Sequence, residues 1–320
     1  MTEKTVTAAP TARDDRILPF TRAVAWIIVP FLVAAFIILY LDGRHTATWF
    51  AWEIPSRLTT ALMGAGYLGG AYFFLRVGLG RRRHHVDLGA GYLNPSSYVA
   101  GSPALRWHNV HLGYPPVTAF TIFMLLATLL HFDKFITGNW PFWVWFVLYI
   151  VTPILVPVVW WRNRTADPRT PEPGDRIVPN WLRTAMAFAG GFLLAVCLVA
   201  FFRPDIFITI WPWTLSPLTA RVMASFHLAL LGVGALVMAS DKRWSAWIVP
   251  MQSITLWYGL LLIALFWHRE ELGTAGLMNW YTLFTVGGLA GLLIVTLIML
   301  RQPPVGRQPN VSRRPEVGRQ

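Results

Sequence analysis

Two histidines are each followed, two residues later, by an acidic residue, and each pair comes directly after a long apolar segment. The pairs are His131 with Asp133, in LLHFDKF, and His268 with Glu270, in LFWHREEL. Imidazole and carboxylate groups are common ligands of zinc, iron and manganese, and two such pairs would supply four ligands. The same groups suit a proton-binding cluster, or solvated charges at helix C-termini, where the helix dipole favours cations. No cofactor is predicted from this pattern alone, and a divalent metal is the cofactor with which it is compatible.

Two other histidines, His108 and His111, stand three residues apart. A helix would place them on one face, at a spacing that metal sites use. They follow His84, His85 and Asp87 in a loop that is rich in Gly, Ser, Pro and Tyr. That composition also suits an ordered surface loop or a partner-binding segment.

His227 lies deep within an apolar segment, and ionisable groups inside a membrane are functional candidates by default. Haem ligation by two histidines would need a second histidine at the middle of a segment, which the sequence lacks. We therefore expect a neutral imidazole that is hydrogen-bonded to a nearby Ser, Thr or backbone carbonyl. Gln252 and Ser253 are candidate partners.

The composition of the chain is that of a polytopic membrane protein. Of the 320 residues, 55% are hydrophobic and 13% are charged, which is unlike a soluble globule. Eight segments are long and apolar enough to cross a hydrocarbon core as helices, and Arg76 is the one formal charge within them. They span residues 23–41, 58–79, 112–130, 140–161, 184–202, 222–240, 247–267 and 279–300. The sequence therefore predicts an all-α fold with eight transmembrane helices.

The basic residues are distributed unevenly between the two sides of the predicted bundle. Alternating loops place six of the 27 Lys and Arg residues on one side and the other 21 on the side shared by both termini. By the positive-inside rule the termini are cytoplasmic, in a multi-pass protein of the cell (plasma) membrane. The basic runs at 81–83 and 162–183 are interpreted as orientation signals and contacts for anionic lipids, not as nucleic-acid sites. A strong excess of Arg over Lys favours a bacterial source.

One phrase occurs twice, as TWFAWEIPSRLTTALM at 48–63 and TIWPWTLSPLTARVM at 209–223. Its Ser, Leu, Thr and Met residues recur at an offset of 160, and the two His-x-acid histidines at an offset of 137. A longer loop in the first half, at 80–111, explains the change of offset. We therefore predict two parallel four-helix repeats, related by a pseudo-two-fold axis along the membrane normal. The predicted boundaries are a disordered leader at 1–22, a first repeat at 23–165, a linker at 166–183, a second repeat at 184–300 and a disordered tail at 301–320.

Both copies of this phrase are interpreted as the beginning of a transmembrane helix. Ser56 and Ser216 suit N-cap positions, and Pro217 suits the first helical position. The tryptophans of the phrase suit the aromatic belt at headgroup depth; they are Trp49, Trp52, Trp211 and Trp213.

Two G-x-x-x-G spacings predict close contacts between helices, because glycine lets two backbones approach where lipid supplies no hydrophobic driving force. The glycines are Gly66 with Gly70 and Gly287 with Gly291.

Several absences narrow the function without naming it. No Asp or Glu lies within the apolar segments, which disfavours proton or sodium coupling through a midplane carboxylate. The P-loop, H-E-x-x-H and G-x-S-x-G motifs are also absent, so an enzymatic activity is not favoured and the catalytic residues are unknown.

Three classes of function remain open. The first is a transporter-like or permeation protein for a neutral or amphipathic solute; the parallel repeat and intrahelical prolines favour it, and it predicts a cavity between the two halves. The second is an accessory or scaffold subunit of a membrane complex, which the 17 tryptophans and the few polar groups within the segments favour. The third is an outer-face metal-binding enzyme or sensor that uses the paired His-x-acid motifs.

Overall fold

The computed structural model describes residues 15–80, 105–167, 169–171 and 174–305. The candidate residues His84, His85 and Asp87 and the basic run at 81–83 lie outside these ranges. Within them the chain is mostly helical, and the only β contact is an isolated bridge between Ile177 and Arg243.

Eight helices are long and apolar enough to cross a membrane, and we number them α1 to α8 in chain order. They are Pro19–Leu41, Arg57–Gly78, His111–Leu130, Trp140–Ala166, Asn180–Phe202, Pro217–Ser240, Trp244–Trp267 and Gly273–Arg301. The predicted all-α fold with eight helices of transmembrane length is therefore confirmed. We call the side at which α1 begins the terminal face, and the side at which α1 ends the distal face.

The two repeated phrases begin α2 and α6, as the sequence predicts. The hydroxyl of Ser56 accepts a hydrogen bond from the backbone N–H of Thr59 at 3.2 Å, and Ser216 accepts one from Thr219 at the same distance. Each cap satisfies one of the N–H groups that have no partner within the helix. Pro217 occupies the first helical position, so both predicted helix beginnings are confirmed.

The ordered chain extends beyond the predicted helix limits on the terminal face. Asp15 and Ile17 are buried, and α1 begins at Pro19, so residues 15–22 do not match the disorder predicted for the leader. Val178, in the predicted linker, is fully buried, and α5 begins at Asn180. These short polar segments escape a hydropathy window because their tertiary contacts, not their own composition, hold them in place.

The eight helices form an inner and an outer group. The inner helices are α2, α3, α6 and α7, with α2 packed against α7 and α3 packed against α6. The outer helices α1, α4, α5 and α8 pack on α2, α3, α6 and α7 in that order. Outer faces carry exposed apolar side chains such as Phe188 and Phe192, which suits surroundings of hydrocarbon.

Glycine allows the close approach of the inner helices. A Cβ atom at Gly66 would lie 2.5 Å from the Phe226 ring on α6, and one at Gly69 would lie 2.9 Å from the Ser253 carbonyl oxygen on α7. At Gly287 and Gly291 no atom of another described helix lies within 4 Å of that position. Among the described residues the second G-x-x-x-G spacing therefore makes no close helix contact, and that prediction is wrong.

Candidate functional site

The first His-x-acid pair lies on the distal face and is already engaged by basic side chains. The Nε2 atom of His131 accepts a hydrogen bond from Nη1 of Arg221 at 2.6 Å. Partial burial and then the charge of Arg221 lower the pKa of His131, which keeps its imidazole neutral at neutral pH. Asp133 is well exposed and pairs with its neighbour Lys134 at 2.7 Å.

The second pair does not join the first. His268 Nδ1 lies 3.6 Å from Glu270 Oε1, which is too long for a hydrogen bond. The next residue, Glu271, instead caps α2, because its Oε1 accepts the backbone N–H of Arg57 at 2.8 Å. The four predicted ligands form no set of three whose ligand atoms lie within 4.8 Å of one another. A metal shared by the two pairs therefore stays a prediction, without support from these distances.

His108 and His111, which the sequence places together, point to different partners. His108 is buried, and its Nδ1–H donates to the carboxylate of Asp15, which also accepts the His108 backbone N–H at 3.1 Å. The His108 Nε2 atom accepts from the Asn109 side-chain amide at 2.9 Å. With both ring nitrogens engaged, His108 is a structural residue here and not a ligand.

His111 faces two carboxylates across the terminal face. Its Nδ1–H donates to the His108 carbonyl oxygen at 3.0 Å, which turns Nε2 toward Asp241 Oδ2 at 3.5 Å and Asp167 Oδ2 at 3.8 Å. Within the described chain, this is the one group of three such side chains with ligand atoms inside 4.8 Å. Ligands about 2.1 Å from a metal lie roughly 3.0–3.4 Å apart, so the spacing is close to that of a metal site.

Arg243 occupies the space between the two carboxylates. Its Nη1 and Nη2 donate to the two oxygens of Asp167 at 2.6 and 2.7 Å, and Nη2 also donates to Asp241 Oδ2 at 2.6 Å. The side chains of Arg243, Asp167 and Asp241 are only 4, 7 and 11% exposed. We call these three residues with His111 the inner clasp, since they join the beginning of α3, the segment after α4 and the connection from α6 to α7.

The clasp keeps both carboxylates ionised. Burial by itself would raise the pKa of Asp241, but the neighbouring His111 imidazole and hydrogen bonds from Arg243 outweigh it and hold that pKa well below its ordinary value. Burial also opposes ionisation of Asp167, whose pKa is nevertheless lowered by hydrogen bonds from Arg243 and from the backbone N–H of Arg169. The same two carboxylates raise the pKa of Arg243 against the effect of its burial.

A polar cleft of about 450 Å³ opens beside the inner clasp on the terminal face. It is lined by Trp107, His111, Leu112, Pro115, Trp160, Arg164, Asp167, Arg169, Arg183, Val237, Ser240, Asp241, Lys242 and Arg243. Five of these side chains are Lys or Arg and two are Asp, so the cleft is net positive.

His227 is buried in a π-helical stretch of α6 and is fully hydrogen-bonded. Its Nδ1–H donates to the Met223 carbonyl oxygen at 2.8 Å, and its Nε2 accepts from the Tyr281 hydroxyl at 3.0 Å. The predicted bond to a backbone carbonyl is confirmed. Gln252 and Ser253 are not its partners: Gln252 accepts from Tyr72, and Ser253 donates to the carbonyl oxygen of Gly69.

Three of the four tryptophans predicted for the membrane interface are packed inside the protein. Trp49 is half exposed, whereas Trp52, Trp211 and Trp213 are at least 93% buried. Trp52 packs against Trp145 with ring centroids 5.0 Å apart, and Trp211 and Trp213 lie at the same separation. Their main role is to build the distal core, so the prediction of a lipid-facing belt is wrong for these three residues.

An apolar cavity of about 450 Å³ lies between α1 and α4, with α2, α3 and α6 forming its floor. It is lined by Ile28, Pro30, Phe31, Leu32, Ala34, Ala35, Ile38, Trp49, Phe50, Gly66, Tyr67, Gly70, Phe74, Val117, Phe120, Thr121, Trp140, Pro141, Val144, Trp145, Leu148, Tyr149, Thr152, Val156, Phe226 and Leu230. Three of the lining side chains, Phe31, Trp49 and Trp140, are also exposed on the outer surface of the bundle. The cavity is therefore open to the outer surface, and we call it the lateral cavity because it lies between the outer helices α1 and α4.

The polar cleft lies between the two halves at the terminal face, but at the centre of the bundle the space between them is much smaller. A void of about 60 Å³ lies among α2, α3, α6 and α7, beside Gly66, Gly69 and Gly234. The aromatic rings of Tyr67, Phe120 and Phe226 close the centre of the bundle, with Phe120 and Phe226 centroids 4.6 Å apart. A permeation protein predicts a cavity between the two halves; among the described residues that space is open as the polar cleft at the terminal face and narrows to the small void at the centre of the bundle.

A second pair of repeated segments lies at the terminal face. Asp-Arg-Ile-x-Pro stands at 15–19 and again at 175–179, an offset of 160, and Arg-Trp stands at 106–107 and 243–244, an offset of 137. These are the offsets of the tryptophan phrase and of the His-x-acid pairs. Each Asp of this motif binds the residue after one of the Arg-Trp pairs: Asp15 binds His108, and Asp175 binds Ser245. Their recurrence at the same offsets is the sequence signal that identifies them.

Comparisons with protein-family models, with curated proteins and with solved structures found no match to this chain.

Proposed function

We propose that this protein binds a hydrophobic or amphipathic molecule from the membrane in its lateral cavity, as a transporter or carrier of a neutral or amphipathic solute. The observation that supports the proposal is the size and chemistry of this cavity. Its volume of about 450 Å³ falls within the range of roughly 300–1,000 Å³ typical of small-molecule sites. Such sites are mostly apolar with a few polar groups, as this one is.

The shape of the cavity suits a chain-like ligand. Its lining on α4 runs from Trp140 to Val156, a distance of about 24 Å at 1.5 Å per helical residue. A single leaflet of hydrocarbon is roughly 15 Å thick. A lipid tail or a similar apolar chain that enters sideways from the distal leaflet therefore has room along its whole length.

The polar groups at the floor of the cavity are neutral. The hydroxyls of Tyr67 and Tyr149 lie 3.0 Å apart and are hydrogen-bonded to each other. Thr121 and Thr152 donate to carbonyl oxygens of their own helices. None of these groups offers a charge, so the part of the ligand that reaches this depth is apolar or carries a neutral polar group.

We also infer that the chain arose by duplication into two parallel four-helix units. The recurring residues at offsets of 160 and 137 support this, as does the packing of helices. In such a duplication α2 corresponds to α6 and α3 corresponds to α7. The packing of α2 on α7 therefore has its equivalent in the packing of α6 on α3, which is also present. The excess of basic residues on the terminal face supports cytoplasmic termini and a plasma-membrane location.

The test uses two substitutions of the same residue type on α4. Val144 lines the lateral cavity, whereas Val147 lies less than one turn away, is 55% exposed and does not line it. Each is replaced by Trp, the protein is purified in a mild detergent, and co-purified lipids and other apolar molecules are extracted and quantified by mass spectrometry. We expect Val144→Trp to lose a molecule that the wild type and Val147→Trp retain.

Equal retention by both variants, at equal thermal stability, would show that the lateral cavity holds no ligand. Solute uptake by reconstituted vesicles then separates binding from transport, since a carrier shows uptake that Val144→Trp abolishes and Val147→Trp preserves.

A further inference from the structure

The polar cleft carries positive charge that its own carboxylates do not neutralise. Asp167 and Asp241 are both occupied by Arg243 within the inner clasp. Four other cationic side chains line the cleft, and no carboxylate of the described residues lies within 4.0 Å of their charged atoms; they are Arg164, Arg169, Arg183 and Lys242. Four uncompensated cations around one cleft favour a multiply charged anion.

Arg183 is held in place without losing its charge. Its Nε donates to the Ala239 carbonyl oxygen at 2.8 Å, and longer contacts of 3.4 and 3.5 Å join its Nη atoms to Asn180 Oδ1 and the Ser240 carbonyl oxygen. All three acceptors are neutral. A guanidinium fixed in this way presents a planar donor group of the kind that binds phosphate oxygens in pairs.

Part of the lining of the cleft is apolar. Trp107, Leu112, Pro115 and Trp160 line the cleft together with the cationic side chains. A ligand that carries a phosphate group beside less polar atoms, such as the glycerol region of a lipid, would contact both surfaces.

We propose that the polar cleft binds a phosphate group, presented either by the headgroup of an anionic lipid or by a soluble phosphate compound. This site is separate from the lateral cavity and does not depend on the function proposed for that cavity. Phosphate matches the cleft better than a carboxylate does, because a phosphate monoester carries nearly two charges and three acceptor oxygens. A divalent metal at His111 fits by distance but not by charge, since it would add two charges beside Arg243 and four further cations.

The experiment measures binding to the full-length protein in a neutral detergent by isothermal titration calorimetry. The probes are inorganic phosphate, dihexanoyl phosphatidic acid and the zwitterionic dihexanoyl phosphatidylcholine. The cleft variants are Arg169→Gln and Lys242→Gln, whose side chains are exposed and do not support the fold. Arg269→Gln removes an exposed charge from the distal face and is the matched control.

We expect saturable binding of a phosphate probe and weak or no binding of phosphatidylcholine. Each cleft variant should lower the affinity for the phosphate probe about fivefold, as expected for the loss of one basic residue near an anionic group. Arg269→Gln should leave that affinity unchanged. Binding of phosphatidic acid alone identifies a lipid headgroup as the ligand. Binding of inorganic phosphate as well, in competition with the lipid, identifies a soluble phosphate compound.

Three results would overturn the proposal. The first is that neither phosphate probe binds saturably. The second is that all three variants, including the control, weaken binding equally, which reveals non-specific attraction to a basic protein. The third is that Mn²⁺ binds at one equivalent, that Asp241→Asn abolishes this binding, and that phosphate does not bind.

Discussion

The carboxylate of Asp175 accepts hydrogen bonds from both the backbone N–H and the hydroxyl of Ser245, at 3.0 and 2.7 Å. Asp15 makes the same pair of contacts with the backbone N–H and the imidazole of His108. In each half, an acidic residue before the first helix thus binds the chain near the beginning of the third helix. All four residues are buried, so these bonds join distant segments on the terminal face.

Replacing Asp175 by Ala should destabilise the protein by about 1–3 kcal/mol, because the buried Ser245 N–H and hydroxyl lose their acceptor. Asp15→Ala should have a similar effect through His108. The measurement is the thermal unfolding midpoint in detergent. Asp205→Ala is the control, since the Asp205 side chain is exposed and pairs with the exposed Arg203. An unchanged midpoint for both buried variants would contradict the view that each carboxylate stabilises its own half of the terminal face.

Arg243→Met should be more damaging, because it leaves Asp167 and Asp241 buried without a cation. Breaking a buried ion pair by removing one partner costs about 3–5 kcal/mol. Arg203→Met is the matched control, because the Arg203–Asp205 pair is exposed and should contribute nothing measurable. Equal shifts of the unfolding midpoint in the two variants would argue against the inner clasp as a source of stability.

Acid should loosen the inner clasp. The pKa values of Asp167 and Asp241 are lower in the folded protein than their ordinary value, which is about 3.9 in an unfolded chain. A depressed folded pKa contributes stability that is fully present above about pH 5 and is lost as the pH falls from there toward the folded values. The thermal unfolding midpoint, measured at pH values from 7 to 3, should therefore stay constant down to about pH 5 and decrease at lower pH. Asp241→Asn should flatten this fall, and an equally steep fall in that variant would contradict the assignment.

Much of the fold follows from sequence because it depends on local pattern. Long apolar segments predict the spanning helices, and Ser56 and Ser216 identify where α2 and α6 begin. The duplicated phrase also locates counterpart residues at fixed offsets. Each of these signals lies within one short stretch of chain, where hydropathy and capping preferences act directly.

The functional site does not follow from sequence because its residues meet only in the folded chain. Asp167 and Asp241 each look like a loop charge beside basic neighbours, and nothing local indicates that Arg243 joins them. His131 and His268 recur at equivalent positions, yet their surroundings differ. Arg221 is hydrogen-bonded to His131, whereas Glu271, which follows His268 by three residues, caps α2. The sequence repeat identifies equivalent positions, whereas the side-chain contacts at those positions depend on how the helices pack and on which partner is nearer.

The two G-x-x-x-G spacings give the sharpest contrast between pattern and packing. Gly66→Ala should destabilise the protein, because its Cβ would lie 2.5 Å from the Phe226 ring, which packs against the rings of Phe120 and Trp257 with centroids 4.6 and 5.8 Å away. Gly287→Ala should be neutral or stabilising, since nothing lies within 4 Å of its Cβ and alanine is favoured over glycine in a helix by about 1 kcal/mol. Unfolding midpoints of the two variants, measured in the same detergent, give the comparison. A loss of stability in Gly287→Ala as large as that in Gly66→Ala would mean that α8 packs against a surface that these contacts do not include, such as a second protein in the membrane.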